Sequence, residues 1–363
     1  MIKRLLKGPA GKASVLLLAG AFALLLSSCA TGKVRVTLGW SGPAVVNDSV
    51  YVASRDGKLF DLNTADKGTQ KWVYPQDKST IQAVYGTTVV SDGMAFIGAA
   101  DGKFYALSSD TGEKVWEFTT RGPIIGSPVV DGGVVYFTSS DARVYARDAK
   151  TGDVKWTFVA ANKLWSTPTV ADGVLYVGGM DKKLYALDAQ SGAKLWEFDS
   201  GGAIASKPLV ANGNIYFGTF TKRFYAVDVA SHQQRWVLDT KSWFWNDALY
   251  ADGTVYVGSL GGDFHALDAN TGSVKWTTLL EAPIRSAPAI VGNLVVVSAR
   301  DGNVVGLNRS NGDQRWEYAM GAQVLASLGV SGETVYVSDM GETVRALDGL
   351  RGNPLWSVSL KPK

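Results

Sequence analysis

Residues 171–196 read ADGVLYVGGMDKKLYALDAQSGAKLW, and this stretch decides the fold. Asp172-Gly173 is a hairpin signal, because a two-residue type I′ turn needs φ > 0 and Asp-Gly supplies it at low cost. Val174-Leu175-Tyr176-Val177 follows as a short strand of β-branched and aromatic residues. A loop at Asp181 leads into Leu184-Tyr185-Ala186-Leu187-Asp188. A turn at Ser191-Gly192 then precedes a strand opened by Lys194-Leu195-Trp196.

Working outward, the same unit recurs. Trp72, Trp116, Trp156, Trp196, Trp236, Trp276, Trp316 and Trp356 are separated by one gap of 44 residues and then by six of 40. A fixed period of this size marks a repeat architecture. The first turn recurs as Asp92-Gly93, Asp131-Gly132, Asn212-Gly213, Asp252-Gly253, Gly292-Asn293 and Ser331-Gly332. The third recurs as Thr111-Gly112, Thr151-Gly152, Thr271-Gly272 and Asn311-Gly312.

No helical period competes after residue 30. Four short strands repeated eight times predict an all-β, eight-bladed β-propeller of four-stranded antiparallel blades over residues 40–363. A solenoid is the alternative, but its ends need caps, and the last unit, ending at Trp356, looks like a middle one. Two features depart from the repeat. The link after Trp72 is four residues longer and contains Pro75, Asp77 and Lys78, which predicts a protruding loop. Val34, Val36 and Leu38 alternate with Arg35 and Thr37, a pattern that suits an added edge strand.

The N-terminus reads as a targeting segment. Lys3, Arg4, Lys7 and Lys12 precede an apolar run from Val15 to Leu26, as in a secretory signal. Leu26-Ser27-Ser28-Cys29 resembles a bacterial lipobox, which implies a signal peptide over 1–28, lipidation of Cys29 and a short tether over 29–39. Cys29 is the only cysteine, so it has no disulfide partner within the chain. An uncleaved anchor is the other reading, since residues 13–31 carry no charge and nearly reach the ~20 residues of a span. Both place the protein on the far side of the inner membrane. With Ala30 after Cys29, the lipoprotein rule implies the periplasmic face of the outer membrane in a host that has one. Residues 1–28 hold four basic residues and no acid, so without them the net charge of +3 becomes −1. A nucleic-acid partner loses its electrostatic support.

Ala186-Leu187-Asp188 with Ser191-Gly192 and Trp196 resembles the tryptophan-docking repeat of pyrroloquinoline-quinone enzymes and their relatives. Ala226-Val227-Asp228 with Trp236, Ala266-Leu267-Asp268 with Trp276, and Ala346-Leu347-Asp348 with Trp356 repeat it. The resemblance implies that each indole wedges between blades with its N–H bonded to neighbouring backbone, a role suited to a large apolar ring with one donor. The size, lipobox and lack of a second domain are most similar to lipoprotein members that assist outer-membrane barrel assembly. That likeness implies a monomeric, non-enzymatic scaffold with a protein or peptide partner, the barrel assembly machine being the candidate.

The enzymes of the family are expected to carry a vicinal cysteine pair, a calcium site and long insertions, none of which the sequence offers. No cofactor, metal site or catalytic residue is therefore expected. Asp101, Asp141, Asp181 and Asp301 fall at a repeated turn position and read as structural. His265 replaces a repeated tyrosine and His232 a turn glycine; neither has a second ligand at metal spacing. A pyrroloquinoline-quinone-dependent dehydrogenase and an envelope sensor of a single-membrane host remain as alternatives.

The non-repeating positions carry the functional signal. The ninth residue after successive tryptophans is Ile125, Trp165, Ala205, Trp245, Arg285 and Leu325, with Tyr85 and Trp40 in the same set once the insertion is allowed for. The residue before is apolar and the residue after is small. Trp40, Tyr85, Trp165, Trp245 and Arg285, with Trp243 close by, are expected to ring one mouth of the channel, either as a binding surface or as a plug. Loops on that same face carry Lys58, Lys103, Arg143, Lys182, Lys183, Lys222 and Arg223. Asp263, Asn303 and Glu342 follow on the later blades, a basic arc opposite an acidic one.

Overall fold

The computed structural model describes residues 38–361. The signal segment, Cys29, most of the tether and all of the 34–38 edge-strand pattern except Leu38 lie outside the described residues.

The dipeptide turns adopt the backbone their chemistry favours. Asp172 and Gly173 have φ of 49° and 75°, and Asn212-Gly213 and Asp252-Gly253 match them. Two turns sit one residue later than the dipeptides suggest. The strand Val129–Asp131 keeps Asp131, so the turn falls on Gly132-Gly133, and Gly329–Ser331 likewise keeps Ser331. In both cases the 40-residue register of the ladder overrides the local dipeptide preference.

Thirty-two strands form eight four-stranded antiparallel sheets, each continuous in sequence. The blades span residues 44–74, 89–119, 129–159, 169–199, 209–239, 249–279, 289–319 and 329–359. First strands of neighbouring blades touch one another, so they line the axis, and fourth strands lie outermost. Middle strands are buried on both faces, as in Tyr176 and Val177 facing Ala186 and Tyr185. The core therefore lies between blades. One cluster packs Phe96, Phe104 and Ala106 of the second blade on Val135, Phe137 and Tyr145 of the third.

Every blade has a register shift between its third and fourth strands, at Ala186/Leu187 and its seven equivalents. The bulge lies beside the tryptophan and re-aims it toward the next blade. Trp72, Trp116, Trp156, Trp236, Trp276 and Trp316 donate their indole N–H to a carbonyl of the following blade at 2.9–3.0 Å. The ring lies on a turn glycine of that blade: a Cβ on Gly272 would sit 2.6 Å from Trp236. Trp196 is the exception. His232 occupies the glycine position and stacks on the indole at 4.5 Å. The last indole, Trp356, lies against Gly68 of the first blade, so the ring closes without a strand shared between the ends. Ser338 Oγ donates to Ser41 O at 2.9 Å and Arg55 Nη1 to Met340 O at 2.8 Å across the same seam.

The inserted loop after Trp72 exposes residues 76–80, and Lys58 Nζ donates to Pro75 O and Asp77 O at its base.

Candidate functional site

Each connection from an outermost strand to the next innermost strand presents three consecutive side chains with three fates. The first is core: Val84, Ile124, Leu164, Ile204, Phe244, Ile284 and Val324 are all buried. At Gly218 the chain makes room for one of them, since a Cβ there would lie 2.1 Å from Phe244 Cβ. The third is small, and at two of the copies where it is polar it stitches blades together. Ser166 Oγ donates to Ser206 O at 2.9 Å and Asn246 Nδ2 to Ser286 O at 3.1 Å. The residue between is free to face the axis.

All eight of those middle residues line one axial cavity with ≈ 110 Å³ of water-accessible space: Trp40, Tyr85, Ile125, Trp165, Ala205, Trp245, Arg285 and Leu325. Trp40 and Tyr85 rings lie 4.4 Å apart and Trp165 and Trp245 6.2 Å apart. The Arg285 guanidinium bridges the two groups, 4.6 Å from the Trp245 ring and 5.2 Å from the Trp40 ring. Such contacts are worth about 0.5–2 kcal/mol each, more as water is excluded. Burial, with repulsion from Arg300 added, pushes the Arg285 pKa down to about 10. The group stays a cation at neutral pH.

Trp243 lies outside the cavity lining. It is exposed on the rim and stacks on Phe220 at 5.7 Å, which in turn stacks on Trp245 at 5.3 Å. Phe220 thus joins the rim aromatic to the channel aromatics. Sequence reasoning missed it because it comes from the loop between second and third strands, where only charges had been read.

Below the aromatics lies a polar ring that the sequence pattern also concealed. The amides of Thr87, Ser127, Lys207 and Ala287 each donate to the side-chain oxygen forty residues on: Ser127, Thr167, Asp247 and Ser327, at 2.8–3.2 Å. The available signal was a hydroxyl or carboxylate two residues past the axial position. Asp247 sits deep in the channel, partly open to the channel space but enclosed by protein on its other sides, and that burial raises its pKa.

Three of the seven residues of the basic arc are paired with acids where they stand. Lys103 pairs with Glu117, Lys183 with Glu197 and Arg223 with Asp239, each on the adjacent outermost strand. Lys58 is engaged with the inserted loop. The repeated aspartates serve loops: Asp141 accepts from Tyr145 O–H at 2.7 Å and from Arg121 N–H at 2.9 Å. His265 is buried against Thr277 Oγ1 at 2.8 Å, and burial lowers its pKa.

The chain is similar in structure to BamB from Moraxella catarrhalis, with TM-score 0.71 and 21% identity over 82% of this chain and 90% of that one. It is similar to the computationally designed Ika8 protein, with TM-score 0.74 and 17% identity over 85% and 96%. It also matches the quinohemoprotein alcohol dehydrogenase from Comamonas testosteroni, with TM-score 0.69 and 16% identity over 89% and 74%. At these identities the likenesses speak for the fold alone. A comparison with curated proteins gives no match. The family model described as outer membrane protein assembly factor BamB matches residues 80–165, 160–244 and 242–363, seven of the eight blades. The chain therefore belongs to the BamB family of tryptophan-docked propellers.

Proposed function

We propose that the protein is a non-catalytic, lipid-anchored scaffold of the cell envelope whose axial mouth binds a protein or peptide partner in outer-membrane barrel assembly. The observation that carries this reading is the convergence of the non-repeating residues on one cavity, with four aromatics and a cation at its mouth. Aromatic and arginine side chains in a partly desolvated recess are the residue types that dominate binding energy at interfaces. Family membership supports a partner in an envelope complex. The lipidated Cys29 and an outer-membrane location belong to the same proposal and rest on the N-terminal sequence.

The quinone enzymes of this fold raise the question of a cofactor. Its donor set does not fit the cavity. Among the described residues no three His, Cys, Asp or Glu side chains gather to hold a cation, and Asp247 is the one carboxylate in the lining. The chain's single cysteine lies in the N-terminal segment.

The test is Trp245→Ala combined with Arg285→Ala in the lipidated protein, purified from its own membrane. Co-recovery of the barrel-insertion machine is expected to fall at least about tenfold, with Tm nearly unchanged. A loss of several kcal/mol, the order seen when a core aromatic is truncated, would identify these side chains as filler. Dye-linked alcohol oxidation after adding pyrroloquinoline quinone and calcium would overturn the non-catalytic reading.

A further inference from the structure

We propose that Arg285 and Arg300 form a carboxylate-binding recess in the axial mouth, one that takes an acidic side chain next to an aromatic one in an extended segment of the partner. This rests on the reading of the mouth as the partner-binding face, and it names the chemistry of that partner.

The Arg285 guanidinium carbon lies over the Trp245 ring at 4.6 Å and the Trp40 ring at 5.2 Å, and a ring accepts little from the five N–H donors of the group. Among the described residues no carboxylate pairs with Arg285 or Arg300. Arg300 Nε is buried without a partner, while its backbone N–H donates to Pro283 O and holds the loop beside Arg285. Asp247, the carboxylate of the cavity, is occupied by the Lys207 amide at 2.8 Å.

Two cations are thus held close enough to repel, in a recess that strips part of their water, with no carboxylate among the described residues paired to either. A partly buried unpaired charge is costly. The group that relieves this cost for a forked, planar cation is a carboxylate received along the guanidinium edge. The flanking indoles decide the rest of the occupant. Trp245 on one side and Trp40 on the other, the two rings that meet Arg285, offer stacking surface for an aromatic neighbour. The ≈ 110 Å³ of water-accessible space admits a side chain at the mouth.

The experiment titrates mouth tryptophan fluorescence with acetyl-Gly-Phe-Glu-Gly-amide, with its Gln counterpart and with inorganic phosphate. The proteins are the wild-type chain, R285Q and R300Q, at low and at physiological salt. The Glu peptide is expected to bind at least about tenfold more tightly than the Gln peptide, and the advantage to fall below about threefold in either variant. R300Q, on a rim loop, keeps the test alive if R285Q fails to fold. Equal affinity for the two peptides, no binding of either, or an advantage kept in both variants overturns the proposal. Phosphate competing at an affinity like that of the Glu peptide would reassign the recess to a phosphate group. Photo-crosslinking from Ala205 to the partner in cells reports separately on the mouth as the binding face, so crosslinks without a Glu preference sink only the carboxylate assignment.

Discussion

Asp61 stands where the other blades have a small apolar residue: Ala106, Ala146, Ala186, Ala226, Ala266, Gly306 and Ala346. It pairs with Trp72 on the neighbouring strand, is 1% exposed, and receives Ser49 Oγ–H at 3.2 Å. Its other carboxylate oxygen has no partner. Burial raises its pKa from 3.8 to about 6, against lowering by Ser49 and Lys71. The native state then holds a proton that the unfolded chain has released between those pH values. Stability therefore falls as pH rises through that window, and the penalty is complete above about pH 7. That raised pKa corresponds to roughly 3 kcal/mol. Asp61→Ala removes the penalty and forfeits one hydrogen bond of about 1 kcal/mol, a net gain of ~2 kcal/mol at pH 7.5. With an unfolding entropy of about 2.1 cal/mol/K per residue, Tm should rise by roughly 3 °C. By pH 4 the unfolded carboxyl is itself close to half protonated and most of the penalty is gone, so the gain should vanish or reverse. Thermal unfolding of wild type and variant from pH 4 to 8 checks this, with Asp61→Asn as the isosteric control. A lower Tm for Asp61→Ala at pH 7.5, or a difference that does not change with pH, would refute the reasoning.

Three further outcomes are expected. Gly272→Ala should cost at least 2 kcal/mol more than Gly253→Ala in chemical denaturation. Both have φ of +72°, yet only Gly272 has an indole against its missing Cβ, and positive-φ strain of about 1–2 kcal/mol is common to the two. Trp276→Phe should lose about 1 kcal/mol beyond the cost of the smaller ring, because the bond to Arg309 O goes unmade. Trp196→Phe should lack that increment and so be the milder of the pair, as read from urea midpoints. His232→Gly should restore the sibling geometry at Trp196: relief of φ +61° is offset by loss of the imidazole stack, so stability should shift by less than about 1 kcal/mol.

The fold was legible because its rules are local and repeated. Asp172-Gly173 sets a turn, Ala186-Leu187-Asp188 sets a bulged strand, and Trp196 sets the joint, forty residues before the same choices recur. Closure was legible only indirectly, since Trp356 on Gly68 joins residues almost three hundred positions apart. The axial residues were readable as a set because each lies between a core residue and a small one. What they do together was not. The bridging of Trp40 and Trp245 by Arg285 spans blades distant in sequence, and Phe220 enters from a different loop. The charge of the Lys58 to Arg223 arc misleads for a similar reason: its neutralising acids lie on the outermost strands, a full hairpin away.

The choice between plug and binding surface turns on what a plug requires. A channel filled only to exclude water is best served by aliphatic side chains, which pack closely and leave no donor unmet. Ile125, Ala205 and Leu325 are of that kind, yet the axis also carries Arg285, which is desolvated and pairs with no carboxylate among the described residues. The cavity also keeps ≈ 110 Å³ of water-accessible space beneath four aromatic rings, with hydroxyls and Asp247 under them. A stopper that retains this much volume and an unpaired cation is a poor stopper. Under the proposed function the same arrangement suits a receptor, because the terms that weaken it as filler are the terms that a complementary ligand would recover.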